Sequence, residues 1–447
     1  MKGIKLLLNI IYINLLVSCN NPTEPPNPTP PFVEEPILTL ELDDAHCTEA
    51  WIKLTSINLQ MPNVINLKQF NSSGDSLIRT INIITPDTML YIDSLLPKKT
   101  YRYKAEAITN NKVYSSNELI VQTMDTTSHN FTFEMITFGG EIGSSVLYDV
   151  AIINENNIWA VGDIWIKDDT SSLGYTNYNA VHWDGSKWHL KRIRYYGNCS
   201  VVEYPPLFAI WAFSENNIVI TNGGSIGWFN GNTVSLDCRV NPLLTGYIKK
   251  IWGISKDELY VVGINGNIAF YNGTSWRRIE SNTTLNINDI WGDYNEKTKE
   301  WEILAVASNK FFDEGSTVIK IEGSSAKDLN KIGLPWSLSS IWFKSSKRYF
   351  IGGDGLFTNK KINDVWIKDT TFIPIYKDRI RGININDIVV SGSNGLLSHF
   401  NGYSWRHYIN NELPHYSGRL LSVDIKQDVI VAVGWIGNKA IITIGRR

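Results

Sequence analysis

Two stretches of the chain decide the fold. Residues 251–263 read IWGISKDELYVVG and residues 380–392 read IRGININDIVVSG, so both place an apolar strand, a polar turn and a second strand before a glycine. The unit recurs from residue 146 onward, with a glycine 11 residues beyond the anchor in five repeats and an insertion around Tyr294 to Trp301 in another. The anchors are Ala151, Trp211, Trp252, Trp291, Trp342, Arg381 and Val423.

A second half-motif follows the first within a repeat. It reads WDGSKW at 183–188, YNGTSW at 271–276 and FNGYSW at 400–405, with a decayed copy at 229–234. Asp-Gly and Asn-Gly favour hairpin turns because both central residues tolerate positive φ. Each unit then holds two hairpins, or four strands, and repeats of this length with a recurring aromatic predict the blades of a β-propeller, here seven.

The half-motif resembles the Asp-box repeat of sialidase-like propellers. That family has one more residue between the Asp and the Gly, so no sialidase catalytic residue is carried over to this chain. The tryptophans of the repeats are expected to fill the wedges between neighbouring blades.

The last repeat, Leu420 to Arg447, has only three strands. Residues 131–138 alternate apolar and polar side chains just before the first repeat, as an outer strand with one packed face would. We predict that strand 131–138 pairs with the C-terminal repeat and closes the ring. The alternative is a linker strand that belongs to the preceding domain.

Residues 37–125 show short alternating runs between turn signals, which predict a β-sandwich. Residues 95–101 read LLPKKTY and resemble the turn before the tyrosine corner of fibronectin type III domains, and Trp51 falls where that family buries a strand-B tryptophan. Lys99 departs from the family's Thr. The fold class is therefore all-β, a fibronectin type III-like sandwich (37–125) followed by a β-propeller (126–447).

The first residues of the chain are predicted to be an export signal. Lys2 and Lys5 precede an apolar stretch too short to span a bilayer, which predicts a signal peptide over residues 1–18. The sequence LVSC ending at Cys19 resembles the lipobox of bacterial lipoproteins, which implies a lipid on Cys19. The proline-rich residues 19–36 predict an extended tether. We expect a cell-envelope protein of the outer membrane or cell surface, held to the membrane through Cys19.

Three further cysteines are present, and an exported chain can form disulfides. Cys199 and Cys238 are the expected pair, with Cys47 as a buried thiol; the alternative is three free buried thiols.

The composition and the motifs of the chain argue against some classes of function. A net charge of −2 offers no basic surface for a phosphate backbone, so we expect no nucleic-acid partner. The seven histidines show no metal-ligand spacing, and no nucleophile or phosphate-loop motif occurs, so no metal or cofactor is expected. We expect a monomer.

The loops that join strands two and three, and blade to blade, carry aromatic and acidic residues suited to a glycan or a peptide. The alternative is a loop that merely seals the propeller. The expected ligand-binding residues are Trp165, Asp168, Asp169, Tyr175, Tyr178, Tyr195, Tyr196 and Trp435.

These observations predict a lipid-anchored binding or scaffold protein whose propeller presents a face to a glycan, a peptide or a protein. The alternative is a carbohydrate-active enzyme on the propeller, using carboxylates such as Asp163, Asp168 and Glu203.

Overall fold

The structure, a computed structural model, describes residues 34–70, 76–310, 312–409, 413 and 418–447. The predicted signal peptide, Cys19 and most of the tether lie outside these ranges. Within them no helix is long and apolar enough to cross a membrane. Apart from the 3-10 helix Asn241–Leu243, the regular elements are β-strands.

The N-terminal strands are β1 (Ile37–Ala45), β2 (Ala50–Ile57), β3 (Asn63–Phe70), β4 (Ser76–Ile83), β5 (Asp87–Ile92), β6 (Thr100–Thr109), β7 (Lys112–Ser115) and β8 (Leu119–Gln122). They form two sheets, β1-β2-β5 and β4-β3-β6-β7, with β8 also pairing with β6. Their apolar faces enclose one core, in which Ile52, Leu67 and Tyr103 are fully buried. The Tyr101 hydroxyl accepts a hydrogen bond from the Leu96 N–H at 2.7 Å and closes the turn before β6.

The rest of the described chain forms seven four-stranded antiparallel sheets. Sheets 1 to 3 contain β10 (Val146–Asn154), β11 (Asn157–Lys167), β12 (Tyr175–Trp183) and β13 (Trp188–Lys191); β14 (Ala209–Ser214), β15 (Asn217–Thr221), β16 (Ile226–Phe229) and β17 (Val234–Asp237); β18 (Ile248–Ser255), β19 (Glu258–Gly263), β20 (Ile268–Tyr271) and β21 (Trp276–Ile279).

Sheets 4 to 6 contain β22 (Ile287–Asn295), β23 (Glu300–Ser308), β24 (Ser316–Glu322) and β25 (Ser325–Asp328); β26 (Leu338–Lys344), β27 (Arg348–Gly353), β28 (Gly355–Asn359) and β29 (Ile367–Lys368); β30 (Lys377–Asn384), β31 (Asp387–Gly392), β32 (Leu397–Phe400) and β33 (Trp405–His407). Sheet 7 contains β34 (Gly418–Lys426), β35 (Val429–Ile436), β36 (Lys439–Arg446) and β9 (Thr132–Phe138).

The first strands of the sheets contact one another in turn, and β34 contacts β10, so the sheets surround a central channel. The ring closes as predicted: β9 pairs antiparallel with β36, from Phe138 opposite Ala440 to Thr132 opposite Arg446. Phe131, just before β9, is buried in the core of sheets 6 and 7. The structure therefore confirms closure by the strand at 131–138.

The Asx-Gly turns form differently from our expectation. Gly273 has a positive φ of 87°, but Asn272 before it does not. Instead, the Asn272 side-chain oxygen accepts hydrogen bonds from the N–H groups of Thr274 (3.1 Å) and Ser275 (2.8 Å). The expectation of two positive φ values is wrong because the Asx side chain caps the turn and only the glycine needs the left-handed region.

The alignment of the last repeat also needs correction. Trp252 pairs with Tyr260 and Arg381 with Val389, whereas the residue of sheet 7 in that register is Asp424, which pairs with Val431. The turn between β34 and β35 is one residue shorter than in those repeats. The residue 11 positions before Gly434 is therefore Val423, one residue short of the structural anchor. The inner strand of sheet 7 therefore presents Asp424 at the anchor position.

In each sheet the first and third hairpins lie at one end of the ring, which we call the hairpin face; the opposite end is the loop face. The N-terminal sandwich docks on the hairpin face of sheets 4 to 6. Lys297 binds Asp43 (2.6 Å), Lys347 binds Asp44 (2.8 Å) and Arg348 binds Glu49 (2.9 Å). These contacts are polar, so the sandwich rests on the propeller through ion pairs at its surface.

Cys199 and Cys238 form a disulfide, with Cα atoms 5.5 Å apart. It ties the connection after sheet 1 to the end of β17. Cys47 is free and buried, and its Sγ lies 3.2 Å from the Asp125 carbonyl oxygen. Burial raises the pKa of the Cys47 thiol to about 11.

Candidate functional site

The predicted ligand-binding residues lie on the loop face, and most are held by local contacts. The Trp165 and Tyr175 rings lie 4.7 Å apart between centroids. Asp168 accepts hydrogen bonds from the hydroxyls of Thr170 (2.5 Å) and Thr176 (2.6 Å). These contacts order the turn between β11 and β12.

The other predicted residues differ in exposure. Tyr195 is fully buried and donates to the Ser225 carbonyl at 2.6 Å, so its ring belongs to the packing between sheets 1 and 2. Tyr196 is 59% exposed, Asp169 is exposed beside Lys167, and Tyr178 and Trp435 are half-buried. Their contact with a ligand stays a prediction.

The carboxylates considered for hydrolysis each have a separate partner. Asp163 accepts from the Asn177 amide at 2.6 Å, and Glu203 pairs with Arg194 at 3.0 Å. With Asp168 bound to its threonines, each carboxylate has a structural role on the loop face. Among the described residues, no group of three or more His, Cys, Asp or Glu side chains could hold a metal ion.

Charged side chains are buried in the central channel. The inner strands place alternate side chains in the channel, and a β-bulge in several of them presents a charged residue there: Asp149, Lys250, Asp289 and Arg379. Each is buried. Sequence reasoning missed these residues, although an isolated charge at one repeat position of an apolar strand was a signal for them.

Asp149 is the centre of one ion network. Its Oδ1 accepts from Lys250 Nζ (2.5 Å) and Ser422 Oγ (2.7 Å), and its Oδ2 accepts from the Ile210 N–H (3.1 Å). Burial opposes ionisation of Asp149, yet the Lys250 ammonium and the Arg379 guanidinium hold its pKa below the ordinary value. Burial and the same Arg379 lower the pKa of Lys250 to about 7.

Asp289 is the centre of a second network. It accepts two hydrogen bonds from Arg381 (2.9 Å each) and one from Ser340 Oγ (2.5 Å), and it pairs with Arg379. Although Asp289 is completely buried, the two guanidinium groups keep its pKa well below the ordinary range. The network crosses the ring from sheet 4 to sheet 6 and fixes Arg381 in place.

The anchor tryptophans divide into two groups. Trp252 packs over Gly292 of the next sheet, where a Cβ would approach the indole to 2.3 Å, and Trp342 packs over Gly382 in the same way. In the sheet that follows Trp291, the position that corresponds to Gly292 and Gly382 is held by Phe343 and not by a glycine. Trp252 and Trp342 therefore fill wedges between sheets, as expected for the tryptophans of the repeats.

Trp211 and Trp291 instead line the channel, with ring centroids 6.2 Å apart. Arg381 lies over the Trp291 ring at 5.0 Å, a cation–π contact. Although both indole Nε1 atoms are buried, neither has a hydrogen-bond partner within the described structure. The Nε1 atoms of Trp188 and Trp342 are unpaired in the same way, so this feature is not particular to the channel.

Asp424 stands across the same space. Its two oxygens accept from the N–H groups of Ile152 and Ile425, both at 2.9 Å. Burial raises the pKa of Asp424 above its ordinary value despite those donors.

Together these groups line a cavity of about 210 Å³, the channel cavity, whose lining reaches the exposed Lys426 near the hairpin face. Its charged and polar lining is Asp149, Lys250, Arg381, Ser422, Asp424 and Lys426, with the indoles of Trp211 and Trp291. Lysine and arginine outnumber aspartate in this lining, although Lys250 and Arg381 already donate to Asp149 and Asp289. The cavity therefore offers a net positive charge to an acidic group.

Comparison with known proteins supports the propeller fold. The structure titled "YCF48 bound to D1 peptide" matches with a TM-score of 0.51 and 14% identity over 72% of this chain and 97% of that one. YCF48 from Cyanidioschyzon merolae (TM-score 0.49, 11% identity, 70% and 98% covered) and the C-terminal WD40 domain of Sif2 (0.42, 11%, 78% and 93%) also match. No protein-family model and no curated protein sequence matches the chain.

Proposed function

We propose that this chain is a lipid-anchored, extracytoplasmic binding protein whose propeller holds an acidic side chain of a peptide or protein partner in the channel cavity. The observation that carries the proposal is the basic lining of the channel cavity. Lys250, Arg381 and Lys426 outnumber Asp149 and Asp424 there, beside the indole rings of Trp211 and Trp291. A carboxylate matches such a lining through charge-assisted hydrogen bonds.

The size of the cavity decides between ligand classes. Whole small-molecule ligands occupy sites of roughly 300–1,000 Å³. At about 210 Å³ the channel cavity is smaller, which suits one side chain whose parent chain stays on the hairpin face. YCF48, which shares the propeller fold, has been solved bound to D1 peptide, and this supports a peptide as the ligand class.

Selection of a displayed peptide library on the full chain tests the proposal. Selected peptides should be enriched in Glu or Asp, and changing that residue to Gln or Asn should abolish binding. Trp211→Phe and Trp291→Phe replace the indoles that line the cavity by smaller rings, so each should weaken binding about tenfold. Trp188→Phe is the matched control, because Trp188 Nε1 is also unpaired but lies outside the cavity.

The membrane anchor is a separate part of the proposal and rests on the lipobox ending at Cys19 and the proline-rich tether. In this view residues 37–125 form a fibronectin type III-like spacer, consistent with the strand order and with the Tyr101 hydrogen bond. Cys19→Ala should leave the precursor uncleaved or release the protein from membranes. Processed, membrane-bound Cys19→Ala protein would contradict a lipid at this residue.

A further inference from the structure

One hairpin of the ring is longer than its counterparts. Trp252 and its strand partner Tyr260 are 8 residues apart, whereas Trp291 and its partner Leu304 are 13 apart. The extra length carries the ladder between β22 and β23 onward through the pair Tyr294 and Trp301. This extension stands on the hairpin face and belongs to no other repeat.

Trp301 is exposed yet firmly held. Its side chain is 40% exposed, and its ring makes edge contacts with Trp252 (5.8 Å) and Tyr294 (5.6 Å) between centroids. Because Trp252 is itself buried between sheets 3 and 4, it anchors one edge of the Trp301 ring. The exposed indole is therefore a preorganised flat surface that loses little rotamer entropy on binding.

Trp301 lines a cleft of about 800 Å³, the Trp301 cleft, between sheets 3, 4 and 5. Carboxylates and ammonium groups both occur on its walls, so neither charge sign dominates. They are Glu258, Glu300, Glu302, Glu322, Lys320, Lys360 and Lys361. A wall with many donors and acceptors and little net charge suits a neutral polyhydroxyl ligand better than an ion.

The sandwich supports one wall of this cleft. Tyr91 of β5 lies under Lys360, whose Nζ is 3.6 Å from the ring centroid, and Asp93 lies 3.9 Å from the same Nζ. Glu302 of sheet 4, also in the lining, accepts hydrogen bonds from Ser345 Oγ (2.5 Å) and the Tyr349 hydroxyl (3.0 Å) of sheet 5. The polar groups are thus positioned by packing before any ligand arrives.

We infer that the Trp301 cleft binds a neutral glycan, with the apolar face of a sugar ring stacked on Trp301 and its hydroxyls bonded to the surrounding carboxylates and lysines. The volume of the cleft falls within the range of about 300–1,000 Å³ seen for small-ligand sites. This site is separate from the channel cavity, with which it shares no lining residue.

The test is binding of the full chain to an array of neutral oligosaccharides, followed by affinity electrophoresis in laminarin, xylan and dextran. Trp301→Ala should weaken retention about tenfold, and Trp301→Phe should keep part of it because a ring remains. Glu258→Gln, at an exposed position of the wall, should also weaken retention without disturbing the fold. Tyr403→Ala is the matched control, because Tyr403 is an exposed aromatic residue outside both the Trp301 cleft and the channel cavity, and it should bind like the unchanged protein. Trp165→Ala reports on the loop face.

Two results would overturn the inference: no binding to any neutral sugar, or binding that Trp165→Ala abolishes while Trp301→Ala and Glu258→Gln retain it. Trp211→Phe separates this site from the channel cavity. It should weaken binding of acidic peptides and leave sugar retention unchanged, so either site can fail without the other.

Discussion

Removing β9 should open the propeller ring. Two truncations of the chain make the comparison: one begins at residue 126 and the other begins at residue 139. The first removes the sandwich, which contacts the propeller through ion pairs such as Glu49 with Arg348 and through the rings of Tyr91 and Trp51 against Lys360 and Lys347. These three cations become solvated on deletion. The second also removes the outer strand of sheet 7 and the buried Phe131.

The contacts of Phe131 give the expected loss in the free energy of unfolding. The residue is 7% exposed and touches Phe133, His399 and Tyr408, so its removal belongs with buried Phe truncations that cost about 3–5 kcal/mol. Its ring also lies 4.9 Å from the Arg447 guanidinium, a contact of about 0.5–1 kcal/mol. With the β9 ladder lost as well, the total should reach at least about 5 kcal/mol, or roughly 10 °C in Tm.

Differential scanning calorimetry of both truncations measures the difference. The truncation that keeps 126–447 should melt close to the propeller transition of the full chain. The one that begins at 139 should melt far lower or fail to fold. Equal melting temperatures would refute closure by β9.

Three further outcomes are expected. Asp289→Asn should lower the free energy of unfolding by about 3 kcal/mol in urea titrations, because two buried guanidinium groups lose their counter-ion, and a change below 1 kcal/mol would contradict this. Replacing both Cys199 and Cys238 by Ser should cost about 4 kcal/mol, since their sequence separation is 39, and reductant should then have no further effect on Tm. Burial beside His399 lowers the pKa of His129 to about 4, below its unfolded value of about 6.5. The contribution of His129 to stability should therefore be complete above pH 6.5 and should decline as the pH falls towards 4. His129→Phe should flatten that decline, and an unchanged pH profile in this variant would contradict the assignment.

The sequence predicted the parts of the fold that repeat. The recurring unit around Trp252 gave the hairpins, and the alternation at 131–138 gave the closing strand, because both patterns are local.

The candidate site was predicted less well, for a physical reason. Long aromatic loops drew attention to Trp165 and its neighbours, whereas the channel cavity is assembled from single residues on different strands. Asp149 and Asp424 are far apart in sequence. The short turn after β34 also shifts the repeat alignment by one residue, so the alignment places Val423 at the anchor position that Asp424 occupies. Only the closed ring brings such residues together.

The most direct test of the channel cavity is NMR of the full chain with 15N-labelled tryptophan. N-acetylglutamate is the probe, and N-acetylglutamine is the neutral control of the same shape. We expect N-acetylglutamate alone to shift the indole N–H signals of Trp211 and Trp291, which are identified from the Phe variants. Shifts confined to Trp165 and Trp435 on the loop face, or equal shifts with both compounds, would contradict it.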